Sequence, residues 1–361
     1  MSIAWEDDQR DMESNQSLTG LGGLADQLAP SIMEAADELN AGPQMPAMLI
    51  NRLRHAGAFH LLTPRELGGH ETTLTTALEV YEELGRVDAS VASLVWNANW
   101  GFIGALLGEA GRYQIWPDGQ PGPVIANCGT PLSAVPTSDG SRLSGDWRRA
   151  SASNVANWFV AITGTRLFAI PADLISGENA RRDSTARVGS IFVPDELTVQ
   201  FDMPPRINRQ LYRSFIPALV LPGAAAVALG TAASAVDVMR GRSPHFETVV
   251  AESDAELQAA RMRLFAVMGM LESTGEAGAA VSAQDRTDLG GAMDHAARVS
   301  ERVLVAMRVV GSAASPYTGN PVDRRFTDGM AVLRQANRLA HAFGPAARLA
   351  RHRGLRPETG T

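Results

Sequence analysis

Apolar residues at Leu74, Leu78, Tyr81 and Leu84 recur every three or four positions, so the pattern predicts an amphipathic helix over Thr73–Arg86. The Pro-Arg-Glu-Leu-Gly-Gly turn before it ends a short helix, and Gly68-Gly69 lets the backbone reverse without steric cost. Similar periodicity predicts helices in LADQLAPSIMEAADELN, in AMLINRLRHAGAF and from Ala89 to Leu107. Between Gly119 and Pro205 the period changes. Short runs rich in β-branched and aromatic residues (PVIANCGT, SRLSGDWRRAS, NWFVAITG, RLFAIPADL, VGSIFVP) alternate with Gly and Pro, which predicts a small antiparallel barrel or sandwich. Helical spacing returns after Phe215, with helices expected over Gly223–Arg240, Asp254–Ser273, Asp285–Val310 and Pro321–Phe343. The expected organisation is an N-terminal helical domain (1–118), a central β domain (119–210) and a C-terminal helical bundle (211–361). A cleft between sheet and bundle suits a flat ligand.

Composition narrows the functions open to such a chain. A net charge of -7 argues against nucleic acid or an anionic membrane as partner. All 32 basic residues are Arg, so no side-chain amine is available for a Schiff base. A single cysteine, Cys128, excludes an internal disulfide, and the seven histidines show no paired metal-ligand spacing. The acidic N-terminus has no signal-peptide pattern, and a cytoplasmic protein is expected. The uncharged run Phe215–Val236 is long enough for a membrane span, but Pro217, Pro222 and its Ala/Gly content predict a buried helix starting near Pro222.

The block Leu61–Ser93 resembles the N-terminal helical domain of the acyl-CoA dehydrogenase superfamily. Other segments resemble one branch of it, the two-component flavin-dependent monooxygenases (hydroxylases and nitroso-forming oxygenases). SRLSGDWRRASASNVANWFVAI looks like their flavin-facing strand pair, with Gly145, Trp147, Ser151 and Trp158 in register. ANCGTP resembles the loop beside the flavin, VGSIFVPDE the strand that closes the barrel, and GSAASPYTGNPVDRRFTDG the lead into the last helix, with Arg324 and Asp328 in register. The resemblance spans roughly residues 20–345. It implies an α+β fold: helical domain, small antiparallel β-barrel, four-helix bundle. It also implies reduced FMN or FAD supplied by a separate flavin reductase, a small-molecule substrate, and a homotetramer (or homodimer).

The residues that this resemblance points to have chemistry that suits the task. An oxygenating flavin must be kept from water and from early loss of peroxide. Ser151 could hydrogen-bond the ring near N5, and groups around Asn127, Cys128, Gly129 and Thr130 could satisfy its polar edge. Trp158 would frame the ring. Arg261, Arg263 and Arg324 are candidate phosphate ligands, although a solvated helix face accounts equally well for Arg261 and Arg263. Five of the six tryptophans lie between Trp96 and Trp158. Trp96, Asn97, Asn99 and Trp100 are therefore candidate substrate contacts, against the plainer reading of aromatics filling a domain junction.

The departures shape the functional expectation. The Thr-Glu-Pro-x-(Ala/Gly)-Gly-Ser-Asp loop usual in the dehydrogenases is replaced by GTPLSAVPTSDG, and their α-proton-abstracting Glu has no counterpart. Oxygenases of the branch often carry a His seven residues after an Arg-Asp pair; here Thr327-Asp328 is followed by Gln335, the candidate catalytic position. The residue after Ser151 is Ala152 where Gly is usual. The leading expectation is a monooxygenase of a small, biosynthetic molecule, in keeping with secondary metabolism such as antibiotic biosynthesis. A substrate that needs no phenol deprotonation would suit Gln335. The alternatives are a non-redox flavin-fold protein acting as binding module or cyclase-like template, and an acyl-CoA dehydrogenase-type enzyme.

Overall fold

The computed structural model describes residues 21–343 except 22, 42–43, 118–121, 129–132, 149–154, 176–184, 201–202, 243, 315–319 and 321; the side chains of 41, 145–148, 185–189, 314 and 338–343 are also outside the description. The N-terminal helices are α1 (Leu24–Glu34), α2 (Ala36–Ala41), α3 (Ala47–His55), α4 (Leu74–Val87), α5 (Ala89–Asn97), α6 (Ile103–Leu106) and α7 (Glu109–Ile115). The stripe of α4 is buried as its spacing requires: Leu74, Leu78, Tyr81 and Leu84 are all within 3% of complete burial. Thr73 caps this helix by accepting from the Thr76 amide at 3.1 Å. Before it, Gly68 takes the left-handed backbone (φ 81°) that ends the Arg65–Leu67 turn.

The continuous helix expected from Ala89 to Leu107 is broken. Asn99 leaves α5 to form a parallel bridge with Ile125, and the Trp100 amide donates to the Ile125 carbonyl at 3.1 Å. The chain thus exchanges helix bonds for contacts with the β domain, a tertiary override that the apolar pattern does not reveal.

The β domain holds two sheets. One has the order β1 (Ile125–Asn127), β4 (Trp158–Thr163), β5 (Arg166–Pro171), β7 (Thr198–Gln200); the other runs β2 (Ser133–Pro136), β3 (Gly140–Arg148), β6 (Thr185–Pro194). Strand β1 pairs in parallel with β4, so the domain is not antiparallel throughout. SRLSGDWRRASASNVANWFVAI does not form a strand pair: β3 and β4 belong to different sheets, and β3 pairs instead with β2 and β6. Strand β6 is the edge of its sheet among the described residues rather than a closing strand. Strands β2 and β7 have no sequence signal, because one is largely exposed on both faces and the other is three residues long.

A short helix α8 (Gln210–Arg213) leads into the bundle: α9 (Ile216–Met239), α10 (Glu247–Glu276), α11 (Ala283–Ala314) and α12 (Asp323–Phe343). Helix α9 is the apolar run, and its most apolar 18-residue stretch is fully buried, packed on α4, α5, α10, α11 and α12. It begins at Ile216, six residues before the expected start. Pro217 sits in its first turn, where no amide is needed, and Pro222 lies inside the helix.

The loop between α3 and α4 folds back on itself, the His70 amide donating to the His60 carbonyl at 2.9 Å. His60 is 8% exposed. Burial first, then the charges of His70 and Arg54, push its pKa down to about 4 from 6.5. The folded state therefore favours neutral imidazole. That contribution is whole above the unfolded pKa of about 6.5 and is lost as pH falls from there towards 4, reaching on the order of 3 kcal/mol. His60→Gln is expected to lose less stability than the parent between pH 7 and 4.5 in urea unfolding; parallel pH dependences would contradict this.

Candidate functional site

Three parts of the chain meet where α5 ends. The bridge from Asn99 to Ile125 brings in β1, β1 pairs with β4 through Ile125 and Trp158, and α12 lies against both α5 and β4. At this meeting point Gln335 of α12 donates through Nε2 to Asn97 Oδ1 at 2.7 Å, and Asn97 Nδ2 donates to the Ser93 carbonyl at 2.7 Å. Asn97 is 3% exposed, whereas Gln335 and Trp158 are half-buried. Two residues singled out in separate domains are therefore hydrogen-bonded partners.

The other sequence candidates divide. Asn99 is spent on the backbone, accepting from the Leu61 amide and donating to the Ala58 and Val95 carbonyls, each at 2.8 Å. It holds the break after α5 and has no amide group left to orient a substrate. Trp96 donates to the Val220 carbonyl at 2.7 Å, and Trp100 is completely buried beside Phe102 with ring centroids 5.4 Å apart. These two indoles fill the junction, as the plainer reading holds. Cys128 directs Sγ to the Val160 carbonyl at 3.1 Å and its amide to the same oxygen at 3.2 Å, so its thiol anchors β1 to β4. Asn127 is buried at the end of β1, in register with Val160. Gly129, Thr130 and Ser151 lie outside the described residues, as does the side chain of Trp147.

Two of the three candidate phosphate ligands are committed to carboxylates. Arg261 Nε lies 2.9 and 2.8 Å from the two Glu82 oxygens, and its guanidinium stacks on Phe265 at 4.2 Å. Burial raises the Glu82 pKa and Arg261 pulls it back. Arg324 binds Asp88 at 2.5 Å and Asp328 at 3.3 Å, with a further hydrogen bond to Asn40. Burial, then the Asp88 charge, raises the Asp328 pKa, and Arg324 opposes both. Arg263 is exposed. In this structure Arg261 and Arg324 tie the bundle to the N-terminal helices through Glu82 and Asp88.

Asp88 went unnoticed in the sequence although it does two jobs. One carboxylate oxygen accepts from the Ser90 and Val91 amides at 2.9 and 3.1 Å, capping α5, and the other holds Arg324. The Asp-x-Ser at a helix start was the available signal. A cavity of about 440 Å³ opens beside this pair, lined by Asn40, Met45, Ser90, Arg324 and Asp328. A second, of about 560 Å³, is lined by Arg65, Glu71, Thr72, Arg209 and Glu272. Neither is lined by Asn97, Trp158 or Gln335.

The residues at the meeting point suit an uncharged aromatic ring system: a half-buried indole and neutral amides, with no carboxylate or guanidinium among the candidates placed there. Residues 24–114 match the family model described as acyl-CoA dehydrogenase, N-terminal domain. The chain is 23% identical over 324 residues to indole-3-acetate monooxygenase of Acinetobacter baumannii, covering 80% of this chain and 82% of that protein. A shorter stretch, 142 residues at 30% identity, matches the oxygenase component of a FADH(2)-dependent resorcinol hydroxylase from Rhizobium sp., covering 38% of this chain and 33% of the relative. Among solved structures, XiaF from Streptomyces sp. in complex with FADH2 and glycerol superposes with a TM-score of 0.77 at 18% identity, covering 93% of this chain and 97% of XiaF. The HsaA monooxygenase of M. tuberculosis superposes with a TM-score of 0.79 at 17% identity, covering 91% and 94%. With residues 24–114 matched to that N-terminal domain and the architecture shared along nearly the whole length, the chain has an acyl-CoA dehydrogenase-like fold.

Proposed function

We propose that the protein is the oxygenase component of a two-component flavin-dependent monooxygenase, taking reduced FMN or FAD from a separate reductase and oxidising a small organic molecule. One observation carries the choice within the superfamily. The position where α5, β4 and α12 meet presents the Asn97–Gln335 amide pair, and neither of these amides can abstract a substrate α-proton. Dehydrogenation needs such a base; oxygenation by a flavin does not. Kinship over four-fifths of the chain with a named monooxygenase points the same way.

When bound, the reduced flavin supplies the activation of oxygen, and the chain supplies position, dryness and polarity. Trp158 and the backbone around Asn127 would wall the ring, and Ser151 is our candidate for a hydrogen bond near N5. The reductase is a required partner. Met262 and Met270 on α10 and Val305 and Val309 on α11 are exposed apolar side chains, which supports further copies of the chain as partners in a homotetramer or homodimer. Anaerobic titration checks the cofactor: reduced FMN or FAD should bind at least about tenfold more tightly than the same flavin oxidised, an arbitrary but readable margin of roughly 1.4 kcal/mol. A protein that binds neither form would be a template without redox chemistry.

A further inference from the structure

The cavity of about 560 Å³ falls in the roughly 300–1,000 Å³ range of small-molecule sites. Three separate parts of the chain wall it: the loop between α3 and α4 (Arg65, Glu71, Thr72), the segment around α8 (Arg209, Ser214) and the last turns of α10 (Glu272, Glu276). Thr72 is 1% exposed, and its Oγ1 has no hydrogen-bond partner among the described residues. Ser214 is 8% exposed, and its hydroxyl is likewise unpartnered among them. A buried hydroxyl without a partner costs free energy that a hydrogen-bonding occupant recovers. Glu71, next to Thr72, holds a left-handed backbone (φ 48°), uncommon for a residue with a side chain. Its carboxylate accepts from the Arg65 amide at 3.2 Å and lies 3.5 Å from Arg209, which pins the strained residue from two sides. Such strain gathers at ligand clamps.

The charges around the cavity are mixed. Arg209 is matched by Glu66 and Glu71, and Glu272 receives the Thr75 amide and hydroxyl at 2.9 and 2.7 Å. Arg65 and Glu276 are exposed and form no ion pair among the described residues. The rim therefore offers one free guanidinium and one free carboxylate, and the wall offers two neutral hydroxyls. A lone anion would face Glu276, and a lone cation would face Arg65. An apolar ring would leave both hydroxyls unpaired. A zwitterion with a neutral polar tail answers all four groups.

We infer that this cavity binds a free α-amino acid with an uncharged polar side chain. Arg65 takes the carboxylate through charge-assisted hydrogen bonds, Glu276 takes the ammonium, and Thr72 and Ser214 pair with the side chain. None of these residues belongs to the meeting point of α5, β4 and α12, so the inference stands apart from the oxygenase reading.

Calorimetric titration of the full chain, without flavin, compares L-glutamine with two derivatives that each lose one charge: L-glutaminamide, a cation, and N-acetyl-L-glutamine, an anion. The intact protein should bind glutamine saturably and at least about tenfold more tightly than either derivative. Arg65→Met should weaken glutamine and N-acetylglutamine about tenfold and spare glutaminamide; Glu276→Gln should weaken glutamine and glutaminamide and spare N-acetylglutamine. Thr72→Val removes a hydroxyl at nearly constant shape and should weaken all three probes together. Both rim residues are exposed, so their variants should keep the parent's thermal melt, which is measured alongside. No saturable binding of glutamine by the intact protein, equal affinities for the three probes, or a preference for glutamine that survives both rim variants would overturn the inference.

Discussion

Gly230→Leu is expected to prevent folding, and Gly230→Ala to lower stability by about 1–3 kcal/mol, the range for forcing extra atoms into a packed interior. A β-carbon at Gly230 would sit 1.9 Å from the Glu82 carbonyl oxygen, 2.8 Å from its carbon and 3.0 Å from the Arg86 amide nitrogen. All three are backbone atoms of α4, so no side-chain rotation relieves the clash. The contact is reciprocal: a β-carbon at Gly85 would lie 2.7 Å from the Val227 carbonyl oxygen of α9. The crossing of α4 and α9 therefore depends on glycine from both sides, and α9 is the helix on which the bundle and the N-terminal domain both pack. Gly269 supplies the control. Nothing lies within 4 Å of a β-carbon there, inside α10 and two turns from its end, so Gly269→Ala should raise stability by up to about 1 kcal/mol through helix propensity. Circular-dichroism melts and urea unfolding read both. A Gly230→Ala protein as stable as its parent would show that the helices do not approach so closely.

Asp88→Ala should cost about 2–4 kcal/mol and Asp88→Asn distinctly less. Alanine removes the cap of α5, itself about 1 kcal/mol, and leaves Arg324 with Asp328 as its remaining carboxylate. Asparagine keeps an oxygen for the Ser90 and Val91 amides and removes the charge alone. The Asp88 side chain is only 9% exposed and Arg324 31%, so solvent screens this pair less than the exposed ion pairs elsewhere on the surface. A double-mutant cycle with Arg324→Ala should return a coupling of about 1–3 kcal/mol. Equal losses for Asp88→Ala and Asp88→Asn would mean the cap contributes nothing. Because Asp88 and Asn97 lie on one helix and Arg324 and Gln335 on another, loosening this tie should also loosen the amide pair.

Much of the architecture was legible because burial enforces period. The stripe of α4, the long helices of the bundle and the apolar run of α9 all follow from spacing and composition. What the pattern hid was decided by single long-range contacts. Asn99 stops a helix whose apolar sequence would continue it, since its amide is worth more bonded to Ala58, Leu61 and Val95. Strands β3 and β4 are neighbours in sequence and members of different sheets. Arginines are hard to assign from sequence for a related reason: Arg261 and Arg324 sit on helices facing partly buried carboxylates, Glu82 and Asp88, that only the folded chain brings near. The Asn97–Gln335 pair spans 238 positions. Each residue was a candidate alone, while the hydrogen bond between them required the fold.

The most direct measurement is stopped-flow mixing of the protein with reduced FMN or FAD and oxygenated buffer, following absorbance through the return to oxidised flavin. A cleft that shelters an oxygen-activating flavin should give, with one of the two cofactors, a transient spectrum distinct from both the reduced and oxidised forms, together with delayed release of hydrogen peroxide. If reoxidation of both flavins follows the time course of free flavin, with no distinct transient, the protein is not an oxygenase.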